Sequence, residues 1–102
     1  MQIADVRLQM ADNGKKKEAL KEFQSIAQMD PKEIWPLGYM ATIYGDLGQV
    51  DPAIAILQKA LSMDSNVAIF HFLLGQAYSR KGDSWRSTGE MGEALRLKAL
   101  GN

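Results

Sequence analysis

Residues 44–53 read YGDLGQVDPA. Gly48 follows a run with helical periodicity, and Ala53 comes five residues later. Two other stretches carry the same spacing, MADNGKKKEA over 10–19 and YSRKGDSWRS over 78–87. Gly14, Gly48 and Gly82 therefore recur at a fixed period of 34 residues. Ala19, Ala53 and Ser87 come after these glycines at one common distance, and Phe23, Leu57 and Met91 at another. Met10, Tyr44 and Tyr78 precede them. Asp30, Asp64 and Lys98 close the units, with Pro31 just after the first. A period of this size marks stacked supersecondary units, none of which can bury its apolar face alone.

The spacing within a unit predicts two helices. In the second unit Leu37, Met40, Ala41 and Tyr44 line one face of a 3.6-residue helix. Ala53, Ile56, Leu57, Ala60 and Leu61 line another. Gly48 lies between them, where the chain must reverse and glycine can take the left-handed conformation without a Cβ penalty. Asp51 is expected as an N-cap, with Pro52 in the first turn after it. Pro36 suits the first turn of the unit's first helix, and the small Ala41, Ala53, Ala60 and Gly75 let helices approach closely. Helices are expected at about 2–12, 16–29, 33–46, 51–63, 67–81 and 84–100. The fold class is thus all-α, with about six helices.

The pattern resembles the tetratricopeptide repeat (TPR) family. The second unit matches through Leu37, Met40, Ala41, Tyr44, Gly48, Ala53, Leu57 and Ala60, with Ser65 where proline is usual. The third matches through His71, Leu74, Gly75, Tyr78, Gly82, Ser87, Met91 and Ala94, and the first through Val6, Met10, Gly14, Ala19, Phe23, Ile26 and Pro31. The resemblance implies one domain over 1–102, an α-solenoid of stacked antiparallel helix pairs forming a right-handed superhelix. Its repeats span about 1–32, 33–66 and 67–100, the third running into a truncated further repeat. Some positions depart from the family. Arg7 stands where a small residue is usual. Ser87, Gly89 and Gly92 weaken the last helix, each interior glycine costing about 0.8–1.0 kcal/mol relative to alanine. Ala94, Leu97 and Leu100-Gly101-Asn102 mimic Ala41, Tyr44 and Leu47-Gly48-Gln49, which reads as a longer array cut inside its next unit. The alternative is one closing helix over 84–100 with Arg96 and Lys98 on its polar face.

Composition removes several classes of function. The 102 residues are 46% hydrophobic and 24% charged, and 12 Lys and Arg balance 12 Asp and Glu. A nucleic-acid surface needs an excess of cations to displace counterions. The one basic run, Lys15–Lys17, reads as a solvated helix face. There is no cysteine, so disulfide and thiolate chemistry are excluded. No apolar stretch approaches the roughly 20 residues of a membrane span, and the N-terminus lacks a signal-peptide pattern. A soluble protein is expected, its compartment open with the cytoplasm slightly favoured.

No enzyme constellation emerges. The single histidine, His71, falls at a packing position between Phe70 and Phe72. HExxH and cysteine ligand pairs are missing. GDLGQVD has no strand before it, and Asp51 would repel an anion at the next helix start. Asp46 and Asp51 read as capping residues. No catalytic residue, metal or cofactor is expected.

In the TPR family the first helix of each pair lines a concave face that carries partner binding. Residue by residue this implies Trp35, Gly38, Tyr39, Thr42, Gly45 and Asp46 in the second unit. The third offers Ile69, Phe72, Leu73, Gln76, Ser79 and Arg80, and the first Ala4, Asp5, Leu8, Ala11 and Asp12. One class of TPR domain clamps the C-terminal carboxylate of chaperones with Lys, Asn and Arg. Here those positions hold Ala4, Leu8, Tyr39, Ile69 and Leu73, so that reading is rejected. What remains is a groove with Trp35, Tyr39, Ile69 and Phe72 as its apolar floor, and Thr42, Asp46, Gln76 and Arg80 setting a ligand's register. Met10, Met29, Met40, Met63 and Met91 are expected as core filler. The resemblance implies a scaffold that binds a peptide or helix of a partner protein in this groove, inside a larger protein. The alternatives are self-association through repeat faces or array ends, and a regulatory segment of a larger enzyme such as a bacterial zinc metalloprotease.

Overall fold

The structure, a computed structural model, describes the backbone of residues 2–101 and the side chains of residues 13–101. Its elements are α1 (Gln2–Met29), α2 (Trp35–Asp46), α3 (Val50–Met63), α4 (Ala68–Lys81) and α5 (Ser84–Ala99). No strand occurs among the described residues. Each helix packs on its neighbours in sequence, and α2 also touches α4. The last four helices start and stop within a few residues of expectation.

The sequence period returns as a period in hydrogen bonds. Gly48 and Gly82 both adopt positive φ, 77° and 87°. Gly48 N–H donates to Gly45 O at 3.0 Å, and Gly82 N–H to Ser79 O at 3.0 Å. Gln49 N–H donates to Tyr44 O at 2.8 Å, and Asp83 N–H to Tyr78 O at 2.9 Å. Even the tyrosine tips repeat: Gln24 Nε2 donates to Tyr44 OH at 3.3 Å and Gln58 Nε2 to Tyr78 OH at 3.2 Å. Each such bond ties the second helix of one unit to the first helix of the next.

The first unit departs from its expected form. The two helices expected at 2–12 and 16–29 are one continuous helix, α1, so the described residues form five helices rather than about six. The positive-φ glycines are Gly48, Gly82 and Gly101; Gly14 is not among them. The difference lies in the residues just after each glycine. Asp83 accepts from Arg86 N–H at 3.1 Å and starts α5; Asp51 lies in the first turn of α3. Gly14 is succeeded by three lysines. They offer no capping acceptor, and their charge opposes the positive end of a helix dipole. An interior glycine by itself costs only about 1 kcal/mol, so the helix runs through. The side chains of Ala4, Asp5, Val6, Arg7, Leu8, Met10, Ala11 and Asp12, all assigned to family positions of the first repeat, lie outside the described residues.

Asp51 is also not the cap of α3. The helix begins at Val50 after Gln49, and the Asp51 carboxylate accepts from Lys81 Nζ at 2.6 Å. That pair links the start of α3 to the end of α4. Pro36 sits in the first turn of α2 as expected, with its side chain fully buried.

The core is formed by Leu37, Met40, Ala41, Leu57, Ala60, Phe70, Leu74 and Tyr78. It is drawn almost wholly from the recurring positions. Gly38 lets α4 come close: a Cβ there would stand 2.8 Å from Phe70 Cε1. Gly75 likewise accommodates Met91, whose atoms lie 3.0–3.1 Å from where its Cβ would be. Met29 and Met63 are exposed rather than core filler; each is the final residue of its helix, past the last turn that faces a neighbour. Residues 84–99 form one helix despite Gly89 and Gly92. Ala94 and Leu97 are buried on its inner side, while Leu95 is exposed beside Arg96.

Candidate functional site

The eight candidate residues come from two helices. Trp35, Tyr39, Thr42 and Asp46 recur along α2 at intervals of three and four, and Ile69, Phe72, Gln76 and Arg80 do so along α4. All eight are exposed. They line three adjoining hollows rather than one floor. Trp35, Tyr39 and Thr42 meet Ile69, Phe70 and Leu73 around a hollow of about 450 Å³ between α2 and α4. Thr42, Asp46, Gln76 and Arg80 meet at a tight cleft of about 50 Å³ beyond it. Phe72 is turned away from α2. With Ile69, Met91, Ala94 and Leu95 it lines a hollow of about 640 Å³ between α4 and α5. Phe72 and Leu73 differ by one residue, hence by about 100° around the helix, which sends them to different sides of Ile69. Ile69 is the ridge between the two larger hollows.

The aromatic end of the α2–α4 hollow is braced from behind by α1. Phe23 stacks on Tyr39 with centroids 5.0 Å apart and ring planes 5° from parallel. It meets Trp35 edge-on at 6.2 Å, and Trp35 meets Tyr39 edge-on at 5.9 Å. Tyr39 is nevertheless 56% exposed and Trp35 45%. Both rings are thus held in place while presenting a face to solvent, which lowers the ordering cost of binding. The sequence showed Phe23 only as a recurring packing position; its backing role depends on how α1 crosses α2.

The polar end is partly engaged by the fold itself. The Thr42 hydroxyl donates to Gly38 O, one turn back, at 3.0 Å. Arg80 Nη1 donates to Gly45 O at 2.7 Å and joins α4 to α2. These bonds leave the Thr42 oxygen lone pairs and the remaining Arg80 N–H groups free.

One exposed aromatic was missed. Trp85, in the first turn of α5, is 89% exposed and borders a recess with Ile54, Gln58, Tyr78 and Arg86. The Arg86 guanidinium lies 5.8 Å from the Tyr78 ring centroid. The signal was present: from Ser79 to Glu90 no other large apolar residue occurs, so Trp85 has no helical partner with which to share a buried face.

Among the described residues no group of three or more His, Cys, Asp or Glu side chains is placed to hold a metal ion. No described helix is long and apolar enough to cross a membrane. His71 is buried at its packing position.

The TPR repeat family model matches residues 41–82. No curated protein matches the chain. Three solved structures superpose on it closely. MamA of MSR-1 does so with a TM-score of 0.80 and 20% identity, over 95% of this chain and 53% of its own. A second MamA crystal structure gives 0.79 and 20%, over 84% and 50%. The type III secretion translocator chaperone SycD of Yersinia enterocolitica gives 0.81 and 22%, over 96% and 74%. The chain spans about half the length of the two MamA chains. At these identities the likeness is one of fold. Together with the repeating bonds at Tyr44 and Tyr78, it shows a helical-repeat solenoid fold, in which residues 41–82 match the tetratricopeptide repeat.

Proposed function

We propose that this tetratricopeptide-repeat chain is a protein-interaction scaffold that holds a peptide or helix of a partner protein along α2 and α4. The observation that carries this reading is the exposed, braced pair Trp35 and Tyr39 facing Ile69 across an open apolar hollow. Contiguous exposed apolar surface of this kind marks a docking face. Tyr and Trp supply much contact area for few rotatable bonds, which is why they dominate binding hot spots. A helix with apolar anchors three or four residues apart would fit the hollows on either side of Ile69, with Asp46 and Arg80 fixing its direction.

The test is a pull-down from native extract. The wild-type chain is compared with Tyr39→Ala/Phe72→Ala, whose helicity is checked by circular dichroism. The pair removes one anchor from each larger hollow. Capture of a protein by the wild type, lost in the folded variant, is the expected result. Equal capture by both sinks the groove assignment.

A second reading, self-association, is favoured by the hollow between α4 and α5. It is lined by Val67, Ile69, Phe72, Met91 and Leu95, with Lys98 beside them. One unit earlier the corresponding face of α2 and α3 is covered by α4, whose Phe70 lies against Gly38. The end face thus has the character of a surface that takes another helix. SycD is itself described as an alternative dimer. Sedimentation velocity over a wide concentration range decides the point: a monomer throughout removes this reading.

A further inference from the structure

The corner where α5 meets α4 contains an ionic group that the binding reading does not use. His71 Nδ1 lies 2.8 Å from Glu90 Oε2 on α5. His71 Nε2 lies 2.8 Å from Ser65 O in the α3–α4 loop. The ring is only 9% exposed. Both of its partners are acceptors. A neutral imidazole carries one N–H, so it can satisfy one of them and must aim a bare lone pair at the other. Only the imidazolium donates to both.

Comparison with the preceding unit shows that this corner does not have to be ionic. One period earlier, His71, Glu90 and Ser65 correspond to Leu37, Ile56 and Pro31. Those three residues line one hollow together, and Leu37 is buried. The side chains at that corner are apolar in the second unit, whereas in the third a cation and an anion meet there beside the backbone carbonyl. Two of the three members of the contact differ; the third, a backbone carbonyl, is present at Pro31 as well.

We propose that His71, Glu90 and the Ser65 carbonyl form a proton-dependent latch that holds α5 onto α4 and the α3–α4 loop, closed when His71 is charged and loosened when it is neutral. The surroundings agree. Burial pulls the His71 pKa down, but the bonds to Glu90 and Ser65 O and the fields of Glu90 and Glu93 outweigh it, and the pKa is raised above its ordinary 6.5. From α5 the facing charges are Glu90 and Glu93, the latter paired with Arg96, whose Nε donates to Glu93 Oε2 at 3.0 Å. From the α3–α4 loop the facing group is the uncharged Ser65 carbonyl; the loop carboxylate, Asp64, accepts from Asn66 N–H at 3.0 Å. A raised pKa fixes the sign. The latch contributes fully below the unfolded value of 6.5, and its contribution is lost as pH rises through the folded value.

Because His71 is the only histidine, its ring can be followed alone by long-range proton–nitrogen NMR between about pH 5 and about pH 8. The expected spectrum shows both ring nitrogens protonated, with a midpoint above 6.5, and Glu90→Gln moves that midpoint down. Urea unfolding supplies the second arm, against a triple variant carrying the second unit's residues, Ser65→Pro/His71→Leu/Glu90→Ile. The wild type should lose up to tenfold in its folded-to-unfolded ratio for each pH unit between 6.5 and its folded midpoint. The triple variant should lose none of this. A midpoint at or below 6.5, or the same pH dependence in wild type and triple variant, overturns the proposal.

Discussion

Replacing Gly38 with alanine puts two opposed effects at one atom. Alanine is the better helix former by about 0.8–1.0 kcal/mol, and α2 is helical from Trp35 to Asp46. The added Cβ would stand 2.8 Å from Phe70 Cε1, however, inside van der Waals contact. Phe70 is a buried core ring against Leu37, Leu57 and Leu74, so it cannot swing into solvent. Overpacking of that kind costs about 1–3 kcal/mol, and the balance is a net loss of about 0–2 kcal/mol. Gly89→Ala isolates the favourable half: beyond its own stretch of helix no atom lies within 4 Å of its added Cβ, and it should stabilise by about 0.8–1.0 kcal/mol. The two variants should therefore differ by about 1–3 kcal/mol, or roughly 4–8 °C in Tm per kcal/mol. Thermal unfolding followed by circular dichroism at 222 nm gives the comparison, and Phe70→Leu completes the cycle. In that background Gly38→Ala should cost less than in the wild type, because the smaller side chain gives way. If Gly38→Ala stabilises as much as Gly89→Ala, or costs the same with Phe70 and with leucine there, the close approach of α4 to α2 is refuted.

Two further outcomes probe the repeat packing. Leu57 is 1% exposed at the centre of the core, so Leu57→Ala should lose about 2.7–5.0 kcal/mol by chemical denaturation; a loss under about 1 kcal/mol would place it outside the core. Tyr78→Phe removes the acceptor of the Gln58 bond and should cost about 0.5–1.5 kcal/mol. Because that bond recurs at Tyr44, Tyr44→Phe should cost a similar amount, and a large inequality would show that the two junctions are not equivalent.

The eight candidate residues came from the family resemblance, and periodicity explains why each set of four shares one helix face. Once α2 and α4 were placed, Trp35, Tyr39, Thr42 and Asp46, and likewise Ile69, Phe72, Gln76 and Arg80, had to recur on neighbouring turns. How those faces meet was not legible. Phe72 faces α5 rather than α2 because the angle of each helix about its own axis depends on what packs on both sides. Phe23 became the backing of Tyr39 for the same reason. Thr42 and Arg80 looked like free polar groups, yet each has a backbone carbonyl within reach once the helices are assembled.

Read by itself, the sequence determined the local and repeating parts: the period, the reversals at Gly48 and Gly82, the last four helices and the residues that form the core. These depend on interactions within a few residues or on a pattern repeated along the chain. Tertiary structure alone decided the rest. It divided the groove at Ile69 and closed His71 between Glu90 and Ser65. Each of these outcomes is a balance among groups far apart in sequence, and that balance exists only after the helices have packed.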